Sequence, residues 1–191
     1  MKTNILFIHS AGPQEEGVGS SFLIQHLKNQ LETDYPLHFP KMPYPESPEY
    51  DQWKTRFEEF IMTLSGSALL IGHSIGGSFL IKYLSEASEP LPIKIEALFI
   101  MAAPYWGIDE DWQLKDFFLA DDFASNLPQD MPIYLYHSID EATVPFKHHQ
   151  LYAQKLPQAT VRIIDGDSHL FEMGLPELVE DIQTIAKGSK K

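Results

Sequence analysis

The 191-residue chain contains no cysteine. That absence removes disulfides, thiolate metal ligands and cysteine nucleophiles together. Positive charge is scarce too: 14 Lys+Arg stand against 27 Asp+Glu, a formal net charge of −13. So acidic a chain repels phosphate backbones and anionic lipid, and neither nucleic acid nor a membrane surface is expected as a partner. Long apolar runs are missing as well. None approaches the roughly 20 residues that cross a bilayer. The run Ile5-Leu6-Phe7-Ile8 is too short for a signal-peptide core, so a cytoplasmic protein is expected. There is no repeat of 20–50 residues and no low-complexity linker. The expectation is one domain over residues 1–187, with 188–191 as a frayed tail.

What is present is ordinary for a folded globule. Hydrophobic residues make up 43% and charged residues 21%. A chain of this length buries about 70% of its unfolded surface and needs no staples. Short, largely apolar runs at Ile5–Ile8, Ala68–Ile71, Ile95–Met101, Ile133–Tyr136 and Val161–Ile164 predict buried strands, with a brief one near Leu37–Phe39. Between them lie segments of helical period. Leu23, Leu27 and Leu31 share one face of a helix that Ser20 or Ser21 is placed to cap. Tyr50, Trp53, Phe57, Ile61 and Leu64 mark a second, and Phe79, Leu80, Tyr83 and Leu84 a third. Two more are predicted around Leu151–Leu156 and from Pro176 onward. About six continuously apolar strands alternating with helices indicate an α/β domain, a mostly parallel sheet covered on both faces.

One stretch breaks the alternation. Pro104 to Pro128 carries Tyr105, Trp106, Trp112, Phe117, Phe118 and Phe123 among acidic residues. It reads as aromatics packed on the sheet edge, or as the wall or small lid of a pocket at the strand ends.

Chemistry enters at Gly72-His73-Ser74-Ile75-Gly76, a G-x-S-x-G sequence directly after a predicted strand and directly before a predicted helix. Such a turn strains the serine and lifts its hydroxyl above the strand ends, and small residues are needed where strand and helix pass closely. The competing reading is a glycine turn whose serine only caps the helix. A neutral serine hydroxyl needs a base, and the base an orienting acid, in the chain order Ser, Asp/Glu, His. Of eight histidines, His169 in Gly166-Asp167-Ser168-His169 follows the last strand and is the expected base. His73 should point away from Ser74, and His9 should shape the pocket floor. His26 and His38 read as bland. His148 and His149 are adjacent and diverge, so with no cysteine no metal site is expected. The acid lies in His137-Ser138-Ile139-Asp140-Glu141-Ala142-Thr143-Val144-Pro145, where Asp140 and Glu141 both qualify. Gly12, Gly17 and Gly19 do not form G-x-G-x-x-G, so a dinucleotide-binding loop is not supported.

With the strand end Ile8-His9-Ser10-Ala11-Gly12, the loop Pro40-Lys41-Met42-Pro43, the elbow Gly72 to Gly77, the acid turn and Gly166 to His169, the sequence resembles the α/β-hydrolase superfamily. It is most similar to the small lidless serine hydrolases of the YdeN and retinoblastoma-binding-protein-like type, over nearly the whole chain. The resemblance implies a single-domain α/β-hydrolase fold without a large cap. In that family the acid turn usually reads Asp-x-x-Val-Pro. Register from Pro145 therefore favours Glu141, while residue type favours Asp140. The resemblance also implies an oxyanion hole from the backbone N–H groups of Ala11 and Ile75, with Ser10 where relatives carry glycine. His9, Ser10, Tyr105, Trp106 and Trp112 are the candidate pocket residues. The expected activity is cofactor-free hydrolysis of small acyl esters through an acyl-enzyme. The alternative is a catalytically weak protein of this fold that binds a protein partner, with the Pro36–Pro48 loop and the acidic aromatic segment as its surface.

Overall fold

The computed structural model describes residues 3–166 and 168–188. Six strands form one sheet, all neighbours parallel, in the order β2-β1-β3-β4-β5-β6. In chain order the elements are β1 (Thr3–Ile8), α1 (Ser21–Leu31), β2 (Leu37–His38), α2 (Tyr50–Ile61), β3 (Ser67–His73) and α3 (Ile75–Glu86). There follow β4 (Lys94–Met101), a 3₁₀ turn (Lys115–Phe117), α4 (Phe123–Asn126), β5 (Ile133–Ser138), α5 (Phe146–Lys155), β6 (Thr160–Ile164) and α6 (Pro176–Gly188). The last helix thus runs one residue into the segment read as a tail. Residues 189–191 lie outside the described residues.

The inner strands are apolar through their central residues, where both faces are covered. Alternate side chains of β1 and β3 go to opposite sides, as a two-residue period requires. Leu6, Ile8 and Leu70 join Trp53, Phe57 and Phe79 of α2 and α3. Ile5, Phe7, Leu69 and Ile71 join Leu23 and Leu27 of α1 and Leu178 and Ile182 of α6. Trp53, Phe57 and Phe79 are fully buried and meet edge to face, with ring centroids 5.6–5.9 Å apart.

The strand order reverses at β1, since β2 lies on one side of it and β3 on the other. Open parallel sheets place their ligands at the carboxyl ends beside such a reversal. The loops leaving β1 and β3 are those carrying Ser10–Ala11 and Ser74.

The Pro104–Pro128 stretch is irregular apart from the 3₁₀ turn and the one-turn α4. Phe117 and Phe123 are buried in the α2–α3 core, and Tyr105, Trp106 and Leu114 pack against it. The stretch thus packs against α2 and α3 on one face of the sheet and does not form a large cap.

Candidate active site

Ser74 follows β3 with φ 54° and ψ −125°, a conformation rarely open to a residue with a side chain. Its N–H donates to the Met101 carbonyl at 2.8 Å, and its own carbonyl accepts the N–H of Gly77 at 2.9 Å. The hydroxyl makes no capping bond to α3, so helix capping does not account for this serine. The glycines around it are required sterically. A Cβ on Gly72 would fall 2.6 Å from Gly77 Cα, one on Gly77 would fall 2.9 Å from Ala103 Cβ, and one on Gly76 would overlap the carbonyls of Ile8 and His9.

The Glu141 side chain is wholly buried. Its Oε2 accepts from His169 Nδ1 at 2.7 Å, and its Oε1 accepts the N–H of Val144 within the same turn. An ionised carboxylate only accepts, so Nδ1 carries the proton and Nε2 is left as the basic nitrogen of His169. Asp140 is exposed and accepts instead from the hydroxyl of Ser138 at 2.7 Å. Of the two carboxylates, Glu141 is the one joined to His169. His137 Nε2 donates to the Val144 carbonyl at 2.8 Å and lies 3.9 Å from Glu141 Oε2. Burial holds its pKa below the ordinary histidine value despite that carboxylate. The His169 loop is anchored by Phe171, fully buried in the α1–α6 core with φ 49°. Asp167 lies outside the described residues. Among the described residues no hydrogen bond joins Ser74 Oγ to His169.

On the β1 side, the Ser10 N–H donates to Ser20 Oγ at 2.8 Å and the Gly12 N–H to the Pro45 carbonyl at 2.9 Å. No hydrogen bond from the Ala11 N–H is found among the described residues. Ile75 opens α3, at a position where a helix leaves its N–H without an intrahelical partner.

The other sequence candidates fall elsewhere. Tyr105 meets Tyr152 and Phe123, while Trp106 meets Trp112 at a tilt, and Trp112 packs edge-on against His148. Among the described residues none of the three makes a ring contact or hydrogen bond with Ser74 or His169. His9 is 4% exposed and lines a recess of about 220 Å³ with Ser21, Ile24, Lys28, Phe39 and Lys41. Burial, assisted by Lys41, pushes its pKa down to about 4. His148 Nδ1 accepts the Tyr105 N–H, and His149 packs on His137 and Phe146. No group of three or more metal-ligating side chains is found among the described residues.

Sequence reasoning missed His73 as more than a spacer. It does point away from the nucleophile. Its Nδ1 lies 2.9 Å from Ser20 Oγ and its Nε2 2.8 Å from the His169 carbonyl. The available signal was a histidine fully inside a buried strand end, where an imidazole must find partners.

No family model matches the chain, and no curated protein matches it. Solved structures do. The ydeN gene product of B. subtilis is similar at TM-score 0.79 and 16% identity, covering 98% of this chain and 100% of that one. Est1E from Butyrivibrio proteoclasticus, solved with ferulic acid bound, is similar at TM-score 0.71 and 14% identity, covering 100% and 90%. CarC, a serine hydrolase involved in carbazole degradation, is similar at TM-score 0.71 and 14% identity, covering 98% and 91%. With its parallel six-stranded sheet and its strand–turn–helix elbow, the chain has the α/β-hydrolase fold.

Proposed function

We propose that the protein is a serine hydrolase that cleaves small acyl esters. The observation that carries this reading is the buried Glu141–His169 pair, 2.7 Å between heavy atoms, in a fold whose elbow holds Ser74 strained and uncapped. The hydrolase character of the structural neighbours agrees with it.

The Ser74 hydroxyl attacks the ester carbonyl while His169 Nε2 takes its proton, and Glu141 balances the imidazolium that forms. The backbone N–H groups of Ala11 and Ile75 receive the oxyanion; such a donor is worth roughly 10²–10³ in rate. Collapse breaks the bond to the alcohol, which leaves with the proton from His169. Water then attacks the acyl-serine, giving its proton to the same nitrogen, and the acid departs as Ser74 is re-protonated. The serine–histidine hydrogen bond of such sites commonly tightens only when substrate is present. Among the described residues the longest connection from the strand ends, between β4 and β5, packs into the core, which supports an uncapped site suited to small esters.

Labelling by a fluorophosphonate probe tests the proposal. Wild type is expected to label fast, Ser74→Ala not at all, and turnover of p-nitrophenyl acetate to fall by about 10⁶ in Ser74→Ala, as for triads that act as a unit. Folded wild type that does not label, or Ser74→Ala that keeps its turnover, would sink the proposal and turn attention to partner binding.

A further inference from the structure

We propose that His73 is a positioning residue, tying the loop of His169 to the Ser10–Ala11 loop through Ser20 so that base and oxyanion donor keep a fixed relation to Ser74. The inference rests on the serine-hydrolase reading.

The three loops leave three different strands, and the sheet ladder ends below them, at Ile8, His73 and Ile164. Their tips therefore need a tie of their own. His73 supplies one whose direction follows from chemistry. The carbonyl of His169 only accepts, so Nε2 of His73, 2.8 Å away, carries the proton. In the neutral ring Nδ1 is then bare, and the Ser20 hydroxyl 2.9 Å from it must donate. With its proton committed, Ser20 Oγ accepts the Ser10 N–H at 2.8 Å and lies 3.0 Å from the Ser10 hydroxyl. The chain of donors runs one way, from the Ser10 amide through Ser20 and the imidazole to the His169 backbone. His73 is fully buried, which favours its neutral form and brings its pKa to about 3. The rings of His169 and Phe171 pack around it at 5.0 and 6.1 Å.

Ser20 gives a second, independent indication. It occupies the N-cap of α1, where a serine hydroxyl ordinarily bonds a free helix N–H and stabilises the helix end. It makes no such bond. The hydroxyl is turned instead toward Ser10 and His73, so local helix stability is given up for the tie. The tie also occupies the Ser10 N–H, leaving that of Ala11 as the amide the loop presents.

Two measurements test this. In nitrogen-correlated NMR of the histidine rings, the signal lost in His73→Asn is expected to be the Nε2–H tautomer, unchanged from pH 6 to 8. The Nδ1–H tautomer, or titration in that range, would overturn the proposal. With p-nitrophenyl acetate, Ser20→Ala and His73→Asn are each expected to lower kcat about 10- to 100-fold with KM within about twofold, the scale of a small misplacement of catalytic groups. Ser20→Thr, which keeps the hydroxyl, is expected to restore most of the rate. Should Ser20→Ala not fold, His73→Asn carries the test. Folded variants with wild-type kcat, or losses shared by Ser20→Thr, would overturn the positioning role alone. Wild type that neither turns over the ester nor takes the probe would overturn the hydrolase reading and this role with it, whatever the tautomer.

Discussion

At the scale of single residues, the acid turn separates what a motif encodes from what a side chain does. Counting back from Pro145 indicates Glu141 and residue preference indicates Asp140, and no sequence rule ranks the two. The decision is geometric: Glu141 points inward to His169, whereas its neighbour leaves the turn in the other direction and meets Ser138. Glu141→Gln is expected to lower ester turnover by about 10⁴, because an amide no longer enforces the Nδ1–H tautomer of the base. Glu141→Asp withdraws the carboxylate by one methylene and should cost about 10²-fold. Asp140→Asn should stay near the wild-type rate, and a larger loss there than in Glu141→Gln would reverse the assignment. Ser74 offers a second expectation, independent of activity. Its φ of 54° is strained for any residue with a Cβ, so Ser74→Ala keeps the strain and Ser74→Gly releases it. Ser74→Gly is expected to be more stable than Ser74→Ala by about 1 kcal/mol in urea titrations, the glycine's greater unfolded entropy offsetting part of the relief. Equal stability, or alanine ahead, would mean the elbow stores no strain.

At the scale of elements, the inner strands were legible because burial on both sheet faces leaves an apolar run through their centres. Edges and ends were less so. The α5 helix begins at Phe146, five residues before the first apolar position read as helical, because its early inward residues include His148 and His149. Polar residues that turn inward carry no periodic signal. Asp181 is the same case on α6: 7% exposed on the helix's buried side, it accepts from the Tyr136 hydroxyl at 2.7 Å and from Arg162 through both oxygens, at 2.8 and 3.0 Å. One carboxylate thereby joins β5, β6 and α6 and fastens an edge strand whose Ile163 is 57% exposed. The Arg162 side chain is 42% exposed, so solvent screens the ion pair and its contribution alone is modest. Removing the carboxylate also strands the buried tyrosine hydroxyl. Asp181→Ala is expected to cost about 2–3 kcal/mol, read as a lower urea midpoint with unchanged slope, whereas Arg162→Met should cost under about 1 kcal/mol. Equal costs would mean that the ion pair, and not the buried hydroxyl, carries the energy.

At the scale of the whole molecule, the net charge of −13 set an expectation about partners but gave no sign of how the fold responds to acid. That response comes from histidines the sequence makes look unremarkable. Burial lowers His9 and His149 to about 4 and His73 to about 3, against 6.5 in the ordinary side chain. It pushes His26, His137 and His148 the same way. Each is held neutral in the folded chain and charges readily once unfolded. Between pH 6.5 and about 4 the unfolded state binds more protons, so stability rises with pH across that window. The contribution is complete above pH 6.5 and is lost as pH falls. Three such groups give a slope approaching about 4 kcal/mol per pH unit, large against a total stability on the order of 5–15 kcal/mol. The protein is therefore expected to unfold in mild acid, with its urea midpoint by circular dichroism nearly level from pH 7.5 to 6.5 and falling from there to pH 5. His149 lies outside the proposed catalytic residues, beside Phe146, so His149→Phe should flatten the pH slope by about one proton while leaving ester turnover at pH 7.5 near wild type. A midpoint constant from pH 7.5 to 5, or a slope that His149→Phe leaves unchanged, would mean that these imidazoles reach solvent protons without unfolding.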